Sequence, residues 1–134
     1  MPKLSFVEGI GPVYEEKLNV LGIKTTEDFF ALTATKKGRK ELAEKSGISE
    51  KLILEWTNHI DLFRIKGIGS EYADLLEAAG VDTVAELAGR RADNLHKKME
   101  EVNEVKKLVR RVPYLKEVEK WILQAKELPR GVEY

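Results

Sequence analysis

Phe6-Val7-Glu8-Gly9-Ile10-Gly11-Pro12-Val13-Tyr14 is echoed later in the chain by Arg64-Ile65-Lys66-Gly67-Ile68-Gly69-Ser70-Glu71-Tyr72. A constant offset of 58 superposes Gly9 on Gly67, Ile10 on Ile68, Gly11 on Gly69 and Tyr14 on Tyr72. The same offset carries Leu18 to Leu76, Gly22 to Gly80, Ile23 to Val81 and Thr25 to Thr83. Trp56 and Trp121 are also counterparts, at an offset of 65, so the second copy holds about seven extra residues, falling between Arg90 and Pro113. The chain therefore reads as a duplicated unit, residues 1–63 and then 64–134.

Few segments alternate apolar and polar residues with period 2, whereas helical signals recur. Pro12 suits the first turn of a helix whose apolar face is Val13, Tyr14, Leu18 and Leu21, and Gly22 suits its end. Thr83-Val84-Ala85-Glu86 is a capping box, with Thr25-Thr26-Glu27-Asp28 as a looser counterpart. Gly38 to Ser46 predicts a short polar helix stopped by Gly47. Ser49 then caps a longer one whose face is Leu52, Ile53, Trp56, Ile60 and Phe63. In the second copy, Ser70 opens a helix that Gly80 ends, and Asn94 to Val102 is helical. Leu115, Val118, Trp121 and Ile122 line a final helix, and Pro129 and Gly131 begin a frayed tail. The fold class is all-α: two tandem repeats of about four to five short helices each. The short run from Ile60 to Arg64 packs them as one compact body, with the last helix of the first repeat serving as the first of the second hairpin. Each tryptophan anchors the centre of its own repeat.

Composition narrows the function. Of 134 residues, 43% are apolar, enough for a core, and 34% are charged, which implies a well-solvated surface. Lys plus Arg and Asp plus Glu both total 23, and this neutrality argues against a protein that merely coats nucleic acid. The absence of cysteine removes disulfides, thiol catalysis and thiolate metal sites. No apolar run is long enough for a membrane span and no signal peptide is present, so cytoplasmic residence is expected. The two histidines, His59 and His96, each stand four residues from a glutamate, Glu55 and Glu100. One such pair is too few ligands for a transition metal, so an i,i+4 pair or a partly buried ring is the expected role. There is no nucleophile elbow, no phosphate loop and no clustered carboxylate motif. The expectation is a non-enzymatic chain with no cofactor, no metal and no small-molecule substrate.

The chemistry lies in the glycine pairs. Glycine tolerates backbone angles that other residues resist, and the isoleucine between the two would plug into the core. Main-chain N–H groups then point outward just ahead of a helix N-terminus, a geometry that attracts anions. These residues resemble the helix-hairpin-helix family, whose hairpins hold DNA backbone without reading sequence. The Gly-Ile-x-Thr at Gly22–Thr25 and the Gly-Val-x-Thr at Gly80–Thr83 occur in several such proteins, and the whole chain resembles a family of uncharacterised tandem helix-hairpin-helix proteins. The resemblance implies a DNA or RNA backbone partner, with Gly9, Ile10, Gly11, Gly67, Ile68 and Gly69 facing phosphate. Glu8, Glu15 and Glu16 flank the first hairpin and oppose that role, and Glu71 and Asp74 come just after the second. Arg64 and Lys66 favour the second hairpin, and Ala73 supplies there the small residue that Glu15 replaces in the first.

Basic clusters supply supporting charge: Lys36, Lys37, Arg39 and Lys40; Arg90 and Arg91 with Lys97 and Lys98; and, densest, Lys106, Lys107, Arg110 and Arg111. On a helix Lys106 would share a face with Arg110, and Lys107 with Arg111. Two functions are compatible with this pattern. One is a module gripping nucleic-acid phosphates without sequence preference. The alternative, favoured by the neutral charge and the acids beside both hairpins, is a protein-interaction or scaffold module that keeps the fold without binding DNA.

Overall fold

A computed structural model describes residues 2–134. Among these the chain forms eight α-helices and a single 3-10 turn, Leu4–Phe6, with one isolated bridge between Lys3 and Thr25. The helices are α1 (Pro12–Val20), α2 (Thr26–Thr33), α3 (Lys36–Ser46), α4 (Glu50–Leu62), α5 (Ser70–Ala78), α6 (Val84–Ala88), α7 (Ala92–Lys106) and α8 (Leu115–Glu127). The contacts divide them into two units. The first runs to Asp61 and takes back Val132–Tyr134; the second is Leu62–Gly131.

Local chemistry sets the helix ends. Thr25 accepts the Asp28 amide at 3.1 Å and Asp28 accepts the Thr25 amide at 3.2 Å, the reciprocal capping box expected more strongly at Thr83. At Thr83 the hydroxyl accepts from Glu86 N (3.3 Å), but the longer Glu86 side chain reaches one residue further back, to Asp82 N (3.4 Å). Thr35 caps α3, accepting from Gly38 N, so this helix starts two residues earlier than its glycine suggested. Gly47, at φ +76°, ends it, and Ser49 accepts the Leu52 amide at the start of α4.

In the first unit Trp56 lies edge-on to Tyr14 (5.1 Å, 64°) and tilted against Phe29 (6.2 Å), drawing α4 onto α1 and α2. The amphipathic face foreseen for α4 holds for Ile53, Trp56 and Ile60, but from Trp56 to Leu62 every residue is buried. Two buried threonines there, Thr33 and Thr57, are tied together. Thr57 Oγ1 bonds Thr33 Oγ1 at 2.8 Å and the Ile53 carbonyl at 2.7 Å, and Thr33 donates to Phe29 O. In the second unit α8 lies against α6 and α7, and α7 against α5. Its core holds Leu75, Leu76, Leu87, Leu95, Met99 and Val118 with Trp121, and Tyr72 tilts against Trp121 at 5.3 Å.

One point that the sequence leaves open is decided here, and two sequence expectations change. The segment Lys106–Val112 is not helical: α7 stops at Lys106, and Lys107 turns into the left-handed region at φ +50°. Asn103 enforces the stop, its amide donating to Val109 O and accepting from Val109 N, both at 3.0 Å, a side-chain imitation of backbone pairing. The pairing of Lys106 with Arg110 and of Lys107 with Arg111 along a helix therefore does not exist. Secondly, Arg39 is no part of a solvated basic face. It is 5% exposed, and its guanidinium donates to Thr33 O (2.9 Å), Ala34 O (3.2 Å) and Glu133 O. Thirdly, the tail is not frayed. Val132 is 2% exposed, and Glu133 N donates to Ala34 O at 2.8 Å.

Candidate nucleic-acid interface

The two glycine hairpins have the same main-chain wiring. Val7 N bonds Leu4 O and Ile10 N bonds Val7 O; Ile65 N bonds Leu62 O and Ile68 N bonds Ile65 O, all at 3.0–3.2 Å. The first glycine of each pair has positive φ, +96° at Gly9 and +101° at Gly67. A Cβ on Gly9 would come within 3.2 Å of Trp56 Nε1, and one on Gly67 within 3.0 Å of Trp121 Nε1. The residue must therefore be glycine for two reasons, backbone angle and the indole edge against it. The second glycine of each pair is an extended N-cap, with φ −88° at Gly11 and −103° at Gly69.

This wiring revises the candidate site. Ile10 and Ile68 plug the core at 3% and 5% exposure, and their amides are spent on the carbonyls of Val7 and Ile65. Neither can donate to phosphate. The remaining donors are the amides of Gly9, Gly11, Gly67 and Gly69, which have no acceptor among the described residues. Gly9 and Gly67 are exposed, and Gly11 and Gly69 half-buried. Neither Gly11 nor Gly69 offers a side-chain cap, unlike Thr25, Thr35 and Thr83 at α2, α3 and α6, so the first-turn amides of α1 and α5 stay open.

The two hairpins differ in the helix turn that each one opens. Pro12 occupies the first position of α1 and has no N–H, whereas Ser70 at the same place in α5 contributes an amide and a hydroxyl. Glu15 turns back to accept the Ser5 amide at 3.0 Å, while its counterpart Ala73 is wholly buried. The first hairpin is thus the poorer donor set and is flanked by the exposed Glu8 and Glu16.

The basic residues are distributed unevenly. Lys107 and Arg110 line an open depression together with Glu71, Asn103 and Leu108, which puts both cations beside the first turn of α5. Glu71 and Glu104 balance them there. Arg111 is engaged: its carbonyl accepts the Tyr72 hydroxyl at 3.2 Å, and its guanidinium stacks on Tyr114 (4.5 Å to the ring centre) and bonds Glu117 at 2.9 Å. That bond, with the Tyr114 amide, holds the Glu117 carboxyl below its ordinary range. The Lys66 main chain is clamped by the Gln124 amide, at 2.9 Å from its N–H and 3.3 Å from its carbonyl, leaving its side chain exposed. Lys106 is exposed at the end of α7 but is not among the residues lining the depression. Sequence reading took Ser70 only as a helix start, not as a donor, and missed Asn103; the contrast of Ser70 with Pro12 at matched positions was the signal for the first.

His96 pairs with Glu100 at 3.4 Å, four residues on, and His59 is buried at 4% exposure. Among the described residues no three His, Asp or Glu side chains converge as metal ligands, and no helix is long and apolar enough to cross a membrane.

An all-helical chain of two four-helix units, each carrying a paired-glycine turn ahead of an uncapped helix, is the class these observations define. Residues 8–128 match the family described as a domain of unknown function (DUF4332), and the chain belongs to that family. No curated protein and no solved structure matches it.

Proposed function

We propose that this is a non-enzymatic binding module of the helix-hairpin-helix kind that holds nucleic-acid backbone without sequence preference through its second hairpin. The observation carrying this reading is the open start of α5. The Gly67 and Gly69 amides lack acceptors among the described residues, Ser70 adds an N–H, and Lys107 and Arg110 line the adjoining depression. Backbone donors at a helix start, in the positive end of its dipole, suit a phosphate diester. Balance by Glu71 and Glu104 keeps the attraction local, consistent with a module that grips one or two phosphates rather than a duplex face.

The test is fluorescence anisotropy with single- and double-stranded DNA at low salt. Ser70→Pro copies the first repeat, deletes one donor and suits the first turn, so it removes affinity without unfolding. It should weaken binding by roughly 10-fold, the size of one charge-assisted hydrogen bond. Lys107→Ala and Arg110→Ala should each reduce the logarithmic salt slope by about 0.9 if each cation meets a phosphate of duplex DNA. Absence of binding by the intact chain at tens of micromolar refutes the proposal.

One observation favours the second reading, a protein-interaction module. An open groove between the start of α7 and α8 carries Leu115, Ile122 and Leu123, the last 63% exposed, edged by Arg90 and Lys126. Leu123→Glu would leave DNA binding intact and abolish association with a protein partner.

A further inference from the structure

The α2–α3 corner of the first unit treats Val132-Glu133 as a docked peptide. One residue is held by both main-chain groups: Glu133 N donates to Ala34 O at 2.8 Å, and Glu133 O accepts from the Arg39 guanidinium. The preceding side chain, Val132, is buried at 2% exposure. The Glu133 carboxylate faces the Lys36 amide at 3.4 Å, in the first turn of α3, where a negative charge is favoured. The corner therefore reads an extended apolar–acidic pair through one buried side chain, one residue's backbone and one helix start. Arg39 is built for this task. It also donates to Thr33 O and Ala34 O at the end of α2, so the groove side of its guanidinium needs a carbonyl.

These contacts come from residues 94 to 99 positions earlier in the chain. The segment itself is joined to α8 through Leu128, Pro129, Arg130 and Gly131, four residues without helix. The connection is itself tied at Pro129, whose carbonyl accepts from Arg64 at 2.6 Å, but the Ala34, Lys36 and Arg39 groups that hold Glu133 lie outside it, so an identical segment from another molecule satisfies the same groups. We propose that the α2–α3 corner is an exchange site, which the Val132-Glu133 segment of a second copy of this chain enters in place of the resident one. Exchange conserves every bond and is decided by concentration against the effective concentration of the tethered segment, which is millimolar for short flexible connections.

The chain contains no cysteine, so single labels can be placed without side reactions. One preparation carries a donor dye at Tyr134→Cys and another an acceptor at Lys37→Cys. The two are unfolded together in urea, refolded at millimolar concentration and read by energy transfer and light scattering. A species of doubled mass with energy transfer is expected, dissociating on dilution and suppressed by excess synthetic peptide spanning residues 129–134. Val132→Asp in the donor chain should abolish the transfer. If that variant does not fold, Glu133→Lys, at an exposed side chain, should reduce it at least several-fold. A chain that stays monomeric after concentrated refolding overturns the proposal. So does a dimer that both substitutions leave intact, or one that the peptide fails to compete.

Discussion

Adding one methyl group at Gly9 tests the packing that defines the first unit. Gly9 has φ +96°, outside the regions that L side chains adopt readily, which costs about 1–2 kcal/mol for alanine. Its new Cβ would also lie 3.2 Å from Trp56 Nε1. The indole is 2% exposed and braced by Tyr14 and Phe29, so it yields only by displacing two other rings, at roughly 1 kcal/mol or somewhat more. Gly9→Ala should therefore destabilise the unit by about 2–3 kcal/mol. Two controls separate the contributions. Gly22→Ala meets the same backbone penalty at φ +85° with nothing within 4 Å, and should cost only about 1–2 kcal/mol. Gly11→Ala, at φ −88° with open space, should stay within about 0.5 kcal/mol of the parent. The assay is urea unfolding followed by Trp56 emission in a Trp121→Phe background, so that one indole reports one unit. If Gly9→Ala costs no more than Gly22→Ala, the indole edge exerts no steric demand on the hairpin. A penalty at Gly11 equal to that at Gly9 would refute the assignment of which glycine is constrained.

Arg39→Met should destabilise the first unit by about 2–4 kcal/mol, because carbonyls at the end of α2 lose a buried donor; urea unfolding checks this. Asn103→Ala should cost about 1–2 kcal/mol and raise hydrogen exchange at Val109, whose amide and carbonyl both lose their partner. Asp28 is held below its ordinary value of 3.8, first by the Lys24 amide and then by the Thr25 amide. Its folded pKa is depressed, so its contribution is present above 3.8 and is lost as pH falls through the lower folded value. Asp28→Asn should melt below the parent at neutral pH, with the gap narrowing on acidification in melts followed by circular dichroism.

The fold was legible where side-chain type and backbone demand coincide. Paired glycines ahead of a helix, Thr25 and Thr83 at helix starts, and one tryptophan in each half carry their reasons in their chemistry. The site was legible only in part. That the isoleucine amides of the Gly-Ile-Gly turns are consumed results from a three-residue carbonyl return that leaves no trace in residue type. Arg39 sits in a run of lysines, and its acceptors are main-chain carbonyls, which every sequence possesses. Charges at Lys106, Lys107, Arg110 and Arg111 have helical spacing, yet Asn103 three residues upstream decides that segment by closing a ring onto Val109. Gly38 looked like a helix boundary but sits inside α3, where a Cβ would run into the Leu32 carbonyl.

The seven additional residues of the second half are not one block. α7 has 15 residues against 11 in α3, α6 has 5 against 8 in α2, and residues 107–114 join the last two helices where 47–49 suffice in the first unit. Through all of this the glycine, tyrosine and tryptophan of each half keep their mutual fit. The duplicated architecture therefore has a fixed keystone and an elastic flank, and length can drift along the flank at little cost to packing. The flank also carries Lys107 and Arg110, which line the depression with Glu71 of α5, so this surface charge of the second half lies where the core does not constrain length.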